Sequence, residues 1–155
     1  MIPMAVPRMY GGTGLTIDHA VDIIGHMVNR TILNASATVV RVYVALTAAT
    51  VLTLVLFSVV APDLATGHAW GHAIIVVVLA VLLPLRLRAA REGKPSGLRA
   101  VGLISGALVA VNMVEGVLPG FFPMWMRVEM FCVAALMAGN VLLVVRAALA
   151  VNRPA

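Results

Sequence analysis

Four stretches of this 155-residue chain are long and apolar enough to cross a lipid bilayer: residues 42–61, 69–88, 98–118 and 124–145. A hydrocarbon core about 30 Å thick takes about 20 residues of helix to cross. Inside it the backbone finds no water, so only helices and closed barrels span it. Apolar runs of this length without period-2 alternation select helices. The chain is 62% hydrophobic and 11% charged, whereas soluble domains have about 45–50% apolar and 25% charged residues. The fold class is therefore an all-α membrane protein. Short connections predict a bundle of four transmembrane helices in two antiparallel hairpins, filling residues 36–155 and leaving no room for a second globular domain.

Charge is sorted by side. Reading the connections alternately places Arg8, Arg30, Arg41, Arg86, Arg88, Arg91, Lys94, Arg99, Arg146 and Arg153 on one face of the membrane, and Arg127 alone on the other. Cytoplasmic loops carry the excess of Lys and Arg, which predicts a multi-pass protein of the cell (inner) membrane with both termini cytoplasmic. The net charge of +5 sits beside apolar spans, where topology and anionic lipid headgroups account for it. Membrane lipid is the expected partner, and nucleic acid is not. The single cysteine, Cys132, rules out an intrachain disulfide.

Ahead of the spans, Pro3, Pro7, Gly11, Gly12 and Gly14 predict an irregular segment over residues 1–15. No cleavable signal peptide is apparent, and the first span is expected to act as a signal-anchor. Over residues 16–35, Ile17, Val21, Ile24 and Val28 form one stripe, and Asp18, Asp22, His26 and Arg30 another. This is an amphipathic cytoplasmic helix with Thr16 as its N-cap. It either lies in the interface or continues the first span inward, and the sequence leaves both open.

Lipid supplies no hydrophobic drive between helices, so close approach through small residues and interhelical hydrogen bonds must hold the bundle. Gly102, Gly106 and Ala110 recur every fourth residue in the third span, and Ala134 and Ala138 do so in the fourth. These seams serve contacts within the chain or between protomers. Asn112 and Asn140, at membrane depth, are expected to hydrogen-bond across helices.

The chemistry-bearing residues collect near the outer face. Counting from each span's inner arginine, His72 lies roughly 21 Å up, Glu115 roughly 24 Å, Glu129 roughly 26 Å and His68 roughly 27 Å. Three helices thus deliver imidazole and carboxylate to one layer. His68 and His72 stand four apart on one helix face. With Glu115 and Glu129 they form a candidate site for a metal ion, divalent from the His and Glu donors, or Cu(I) from neighbouring Met113, Met124, Met126 and Met130. The same carboxylates suit proton or cation handling. Alternatively the groups satisfy one another, with Arg127 neutralising a glutamate and His72 bonding the other, and the layer only fixes register.

No nucleophile with an adjacent base and no phosphate-cradling loop is present. The leading expectation is a non-enzymatic subunit of a membrane complex or homo-oligomer. The competing one is a small transporter or channel-like protein binding a cation at the His/Glu layer.

Overall fold

A computed structural model describes residues 14–151, with side chains described for Met27 and residues 30–149. It is a bundle of four helices: α1 (Gly14–Val60), α2 (Gly67–Arg91), α3 (Pro95–Val117) and α4 (Met124–Val151). Each contains a segment long and apolar enough to span a membrane: Arg30–Val60, Gly67–Arg91, Pro95–Val117 and Met124–Leu149. The helices form a ring in which α1 touches α2 and α4, and α3 touches α2 and α4, with α3 and α4 packed most extensively. The first 13 residues, where an irregular start is expected, fall outside the described residues.

The boundary expected at residues 35 and 36 is not a break. α1 runs unbroken for 47 residues, because no Gly or Pro occurs between Gly25 and Pro62 to end it. Of the two courses open to residues 16–35, the structure takes the continuous one. Thr16 is consequently inside the helix rather than its cap. The side chains of Asp18, Asp22 and His26 are outside the described residues.

The connections follow from local chemistry. At the basic end, the Gly93 amide donates to the Ala90 carbonyl and the Lys94 amide to the Ala89 carbonyl, each at 3.1 Å. This is a Schellman closure of α2, and Gly93 takes the required positive φ of 79°. Pro95 then opens α3, where its missing amide proton costs nothing. Lys94 donates to Glu92 at 3.0 Å and holds that carboxyl below the usual carboxylate range. At the opposite end a 3-10 turn, Pro62–Leu64, leads to Thr66, whose hydroxyl accepts from the Ala69 amide and caps α2. Pro84 lies within α2, which stays helical through it.

Two glycines of α3 differ in what they demand. Gly97, in the first turn of α3, lies against the last turn of α2, and a Cβ there would run into the backbone of Ala89 and Ala90. Gly106 faces open space. Gly97→Val is therefore expected to cost about 1–3 kcal/mol in thermal or denaturant unfolding in mild detergent. Gly106→Ala should stay within about 0.5 kcal/mol of the parent.

The seam that builds the core has a seven-residue period. In α1 the buried positions include Ser36, Val40, Tyr43, Thr47, Thr50 and Leu54, with Ala37 beside them. In α2 they include Ala69, Ala73, Val76, Ala80, Leu83, Leu87 and Ala90, and in α4 Met126, Met130, Val133, Met137, Asn140, Val144 and Ala147. Alternating steps of four and three are the knobs-into-holes repeat. The interior of the bundle carries polar groups, and the exterior carries large apolar side chains. Among the described residues seven polar side chains are buried, whereas Leu52 is 70% exposed, Leu103 75% and Val59 81%. A surface this apolar suits lipid and not water.

Candidate functional site

Three polar tiers cross the bundle interior, each tying helices that are not joined by a short turn or holding neighbours in register. At the basic end, Ser36 of α1 donates to the Asn140 carbonyl oxygen of α4 at 2.7 Å. The Asn140 amide in turn donates to Ser105 of α3 at 2.9 Å. All three are at most 1% exposed. In the middle, the Tyr43 hydroxyl donates to the Val76 carbonyl of α2 at 2.9 Å.

The third tier contains the residues singled out by depth. His72 is buried and its Nδ1–H donates to Oε2 of Glu115, joining α2 to α3. The Thr50 hydroxyl donates to Oε1 of Glu129, joining α1 to α4. Arg127 does not neutralise a glutamate. Its Nε donates at 2.9 Å to the Gly116 carbonyl, near the end of α3 where helix carbonyls lack intrahelical partners. His68 is exposed at the start of α2 and packs edge-on against Phe121, with ring centroids 5.2 Å apart. It stands apart from the His72–Glu115 pair, because an imidazole at the helix end reaches the outer loop instead of the interior.

Among the described residues, no group of three or more His, Cys, Asp or Glu side chains converges as a metal would need. The methionines divide in the same way. Met126 and Met130 fill the outer core beside Leu54, Ala69 and Ala73, whereas Met113 and Met124 are exposed. Cys132 is exposed on the outside of α4. Aromatic rings close the outer end: Trp125 meets Phe57 edge-to-face at 5.5 Å, and Phe122 lies over His72 at 6.0 Å. The Trp70 indole donates to Ser58 at 3.4 Å.

The expected packing residues separate into two groups. Gly102 lies tightly against Val144, where a Cβ would approach within 3.2 Å, and Ala134 is buried. Ala110 and Ala138 are exposed and Gly106 is open, so these three face away from the rest of the chain. Asn140 bridges helices as expected, but Asn112 does not. Its amide bonds back to the Leu108 carbonyl of its own helix at 2.8 Å, and its buried Oδ1 has no partner. An i−4 carbonyl is always within reach of a helix side chain, and here it captures the donor that a neighbouring helix leaves unclaimed. Gly116 is also closely packed, since a Cβ there would come within 3.2 Å of the Phe131 ring.

Ser36, Tyr43, Thr50 and Ser105 carry half of these bonds and were not candidates by depth alone. Their signal lies in the period: residues 36, 43 and 50 place a polar group every seventh residue of α1. The span carries further hydroxyls at Thr38, Thr47, Thr53 and Ser58, so the seven-residue recurrence, not a hydroxyl alone, marks the face turned inward.

Four apolar helices around an interior tied by polar side chains define a multi-pass membrane protein. Comparison with protein-family models, curated proteins and solved structures gives no significant match to this chain.

Proposed function

We propose that this protein is a non-enzymatic subunit of a membrane assembly, formed with its own copies or with other membrane polypeptides. The supporting observation is where the interior polar groups are spent. His72 is taken by Glu115, Glu129 by Thr50, Arg127 by a carbonyl, and Asn140 by two serines. Groups bonded to one another in this way hold helices in place. The proposal extends to an inner-membrane setting with both termini cytoplasmic, which rests on the basic end formed by Arg41, Arg86, Arg88, Arg91, Lys94 and Arg99. Outward-facing Gly106, Ala110 and Ala138 are suited to close helix contact with a neighbour.

The test is extraction in mild detergent followed by native mass spectrometry and cross-linking in the membrane. The expected result is a defined multiple of the 16.3 kDa chain or a stoichiometric partner. A monomer in both measurements would overturn the reading.

A second reading is a cation-binding transporter or channel-like bundle, favoured by one observation. Asn112 Oδ1 is buried without a donor, on the same face of α3 as Glu115 one turn on. An oxygen left open near a carboxylate is what an ion or a proton-carrying water would use. Saturable cation uptake in vesicles holding the purified protein, lost in Glu115→Gln, would favour this second reading. Uptake equal to that of empty vesicles would remove it.

A further inference from the structure

The lipid-facing side of α1 and α2 does not close evenly. Between them lies an open apolar recess of about 620 Å³, lined by Val44, Ala45 and Ala48 of α1 and by Ala80 and Pro84 of α2, with Arg41 at its edge. Its origin is local. Ala45, Ala48 and Ala80 are too small to fill the space between two helix axes, and Pro84 brings a ring where a longer side chain would reach across. The wide part follows α1 from residue 41 to 48, about 10 Å of rise. Farther out along the same two helices a separate, smaller recess of about 190 Å³ is lined by Val51, Trp70 and Val77. The broad opening thus belongs to one leaflet, the one beside the basic end.

Charge tells what kind of molecule fits there. Arg41 is exposed and has no hydrogen bond or ion pair to a described residue. Arg88 stands four residues beyond Pro84, and so on the same face of α2 one turn nearer the end. It is 82% exposed, and its one ion pair is a solvent-exposed contact of 3.4 Å with Glu92. Arg41 thus lines the recess, and the register of α2 places Arg88 one turn beyond Pro84 toward the basic end. Glu92 is the only acidic side chain described at this end of the bundle, against eight arginines and lysines. A transmembrane partner helix would need a contact surface along the whole span, but the wide recess covers only part of it. An acyl chain with an anionic headgroup needs what is present: a short apolar recess with Arg41 in its lining and Arg88 one turn farther toward the basic end.

We propose that the recess between α1 and α2 is a binding site for one acyl chain of an anionic phospholipid, with its phosphate held by Arg41 and Arg88. This goes beyond the subunit reading and does not depend on it. A site of this kind gives the chain a preference among the lipids around it and occupies the groove that would otherwise be left open between two helices.

Labelling of the full-length protein in mild detergent tests this. The probe is phosphatidylglycerol carrying a photoactivatable diazirine in its acyl chain, followed by peptide mapping. Labels are expected to concentrate on residues 40–48 and 80–85. Unlabelled phosphatidylglycerol should compete at least about fivefold better than phosphatidylcholine, the discrimination one interfacial arginine supplies. Arg41→Gln should weaken labelling about fivefold, whereas Arg99→Gln, the same charge change on α3, should leave it unchanged. Ala48→Phe, which fills the recess, should abolish it. Even spread of label over all four helices, equal competition by both lipids, or equal effects of Arg41→Gln and Arg99→Gln would overturn the proposal. So would a cross-link placing a second copy or another polypeptide in the recess. Should Ala48→Phe fail to fold, the wild-type map and the competition still decide.

Discussion

Replacing Asn140 with leucine is expected to destabilise the bundle by about 2–4 kcal/mol, among the largest effects of any single substitution in the spans. Asn140 is fully buried and is the only described side chain bonded to two other helices at once, through Ser36 of α1 and Ser105 of α3. Each interhelical bond within a membrane contributes about 0.6 kcal/mol on average and up to about 2. Leucine removes both and leaves two buried hydroxyls without their partner. The serines soften the loss because each can turn to the carbonyl four residues earlier in its own helix. Ser36→Ala and Ser105→Ala should then cost about 1 kcal/mol each and add to less than the Asn140 effect, since the three act as one network. Leu103→Ala, on a lipid-facing position, should cost less than any of them. Reversible unfolding in mixed detergent micelles measures all four. An Asn140→Leu variant as stable as the parent would mean that apolar packing alone sets the bundle.

The contrast between Asn140 and Asn112 shows how far a sequence carries in lipid. The number, ends and pairing of the helices were legible because a bilayer imposes one hard requirement, length in apolar residues, and charges and breakers mark the limits. Pro62, Gly93 with Pro95, and Gly120 stand where the chain turns. The continuity of α1 was legible too, in the missing glycines and prolines between residues 26 and 61, but it carried less weight than the change from amphipathic to apolar pattern. That pattern reports where water stops, which is not where a helix stops.

Which face turns inward was harder to read, for a physical reason. In water, burial selects apolar residues, so the core announces itself. Here both faces are apolar, and the difference lies in sparse hydroxyls and amides. Depth alone brought His72 and Glu115 to one level and found a bonded pair. It brought Glu129 to the same level without revealing Thr50, and it grouped His68 with them although that ring is turned to the outer loop. Height is set by counting residues, whereas facing is set by the seven-residue seam, and both are needed to name partners.

The His72–Glu115 pair is where fixing register and handling a cation can be told apart, and the expected result is a strong coupling between the two residues. Glu115→Ala should cost about 2–3 kcal/mol, because it strands a buried imidazole that has no other hydrogen-bond acceptor recorded on any helix. His72→Phe strands the less buried carboxylate, which is 25% exposed, and should cost less. In the double variant both polar groups are gone together. Its loss should fall short of the sum of the single losses by at least about 1 kcal/mol, the interaction energy of the pair. Glu115→Gln keeps an acceptor oxygen in place and should retain most of the parent's stability. These stabilities, read in detergent, are to be set beside assembly state for the same four variants. If the pair only holds α2 against α3, assembly will follow stability from variant to variant, and Glu115→Gln will behave like the parent in both. If the carboxylate carries charge or binds an ion, Glu115→Gln will fold and assemble like the parent while losing cation uptake. Additive single and double variants would show that the two side chains merely lie close, and the tier would then have no energetic role to explain.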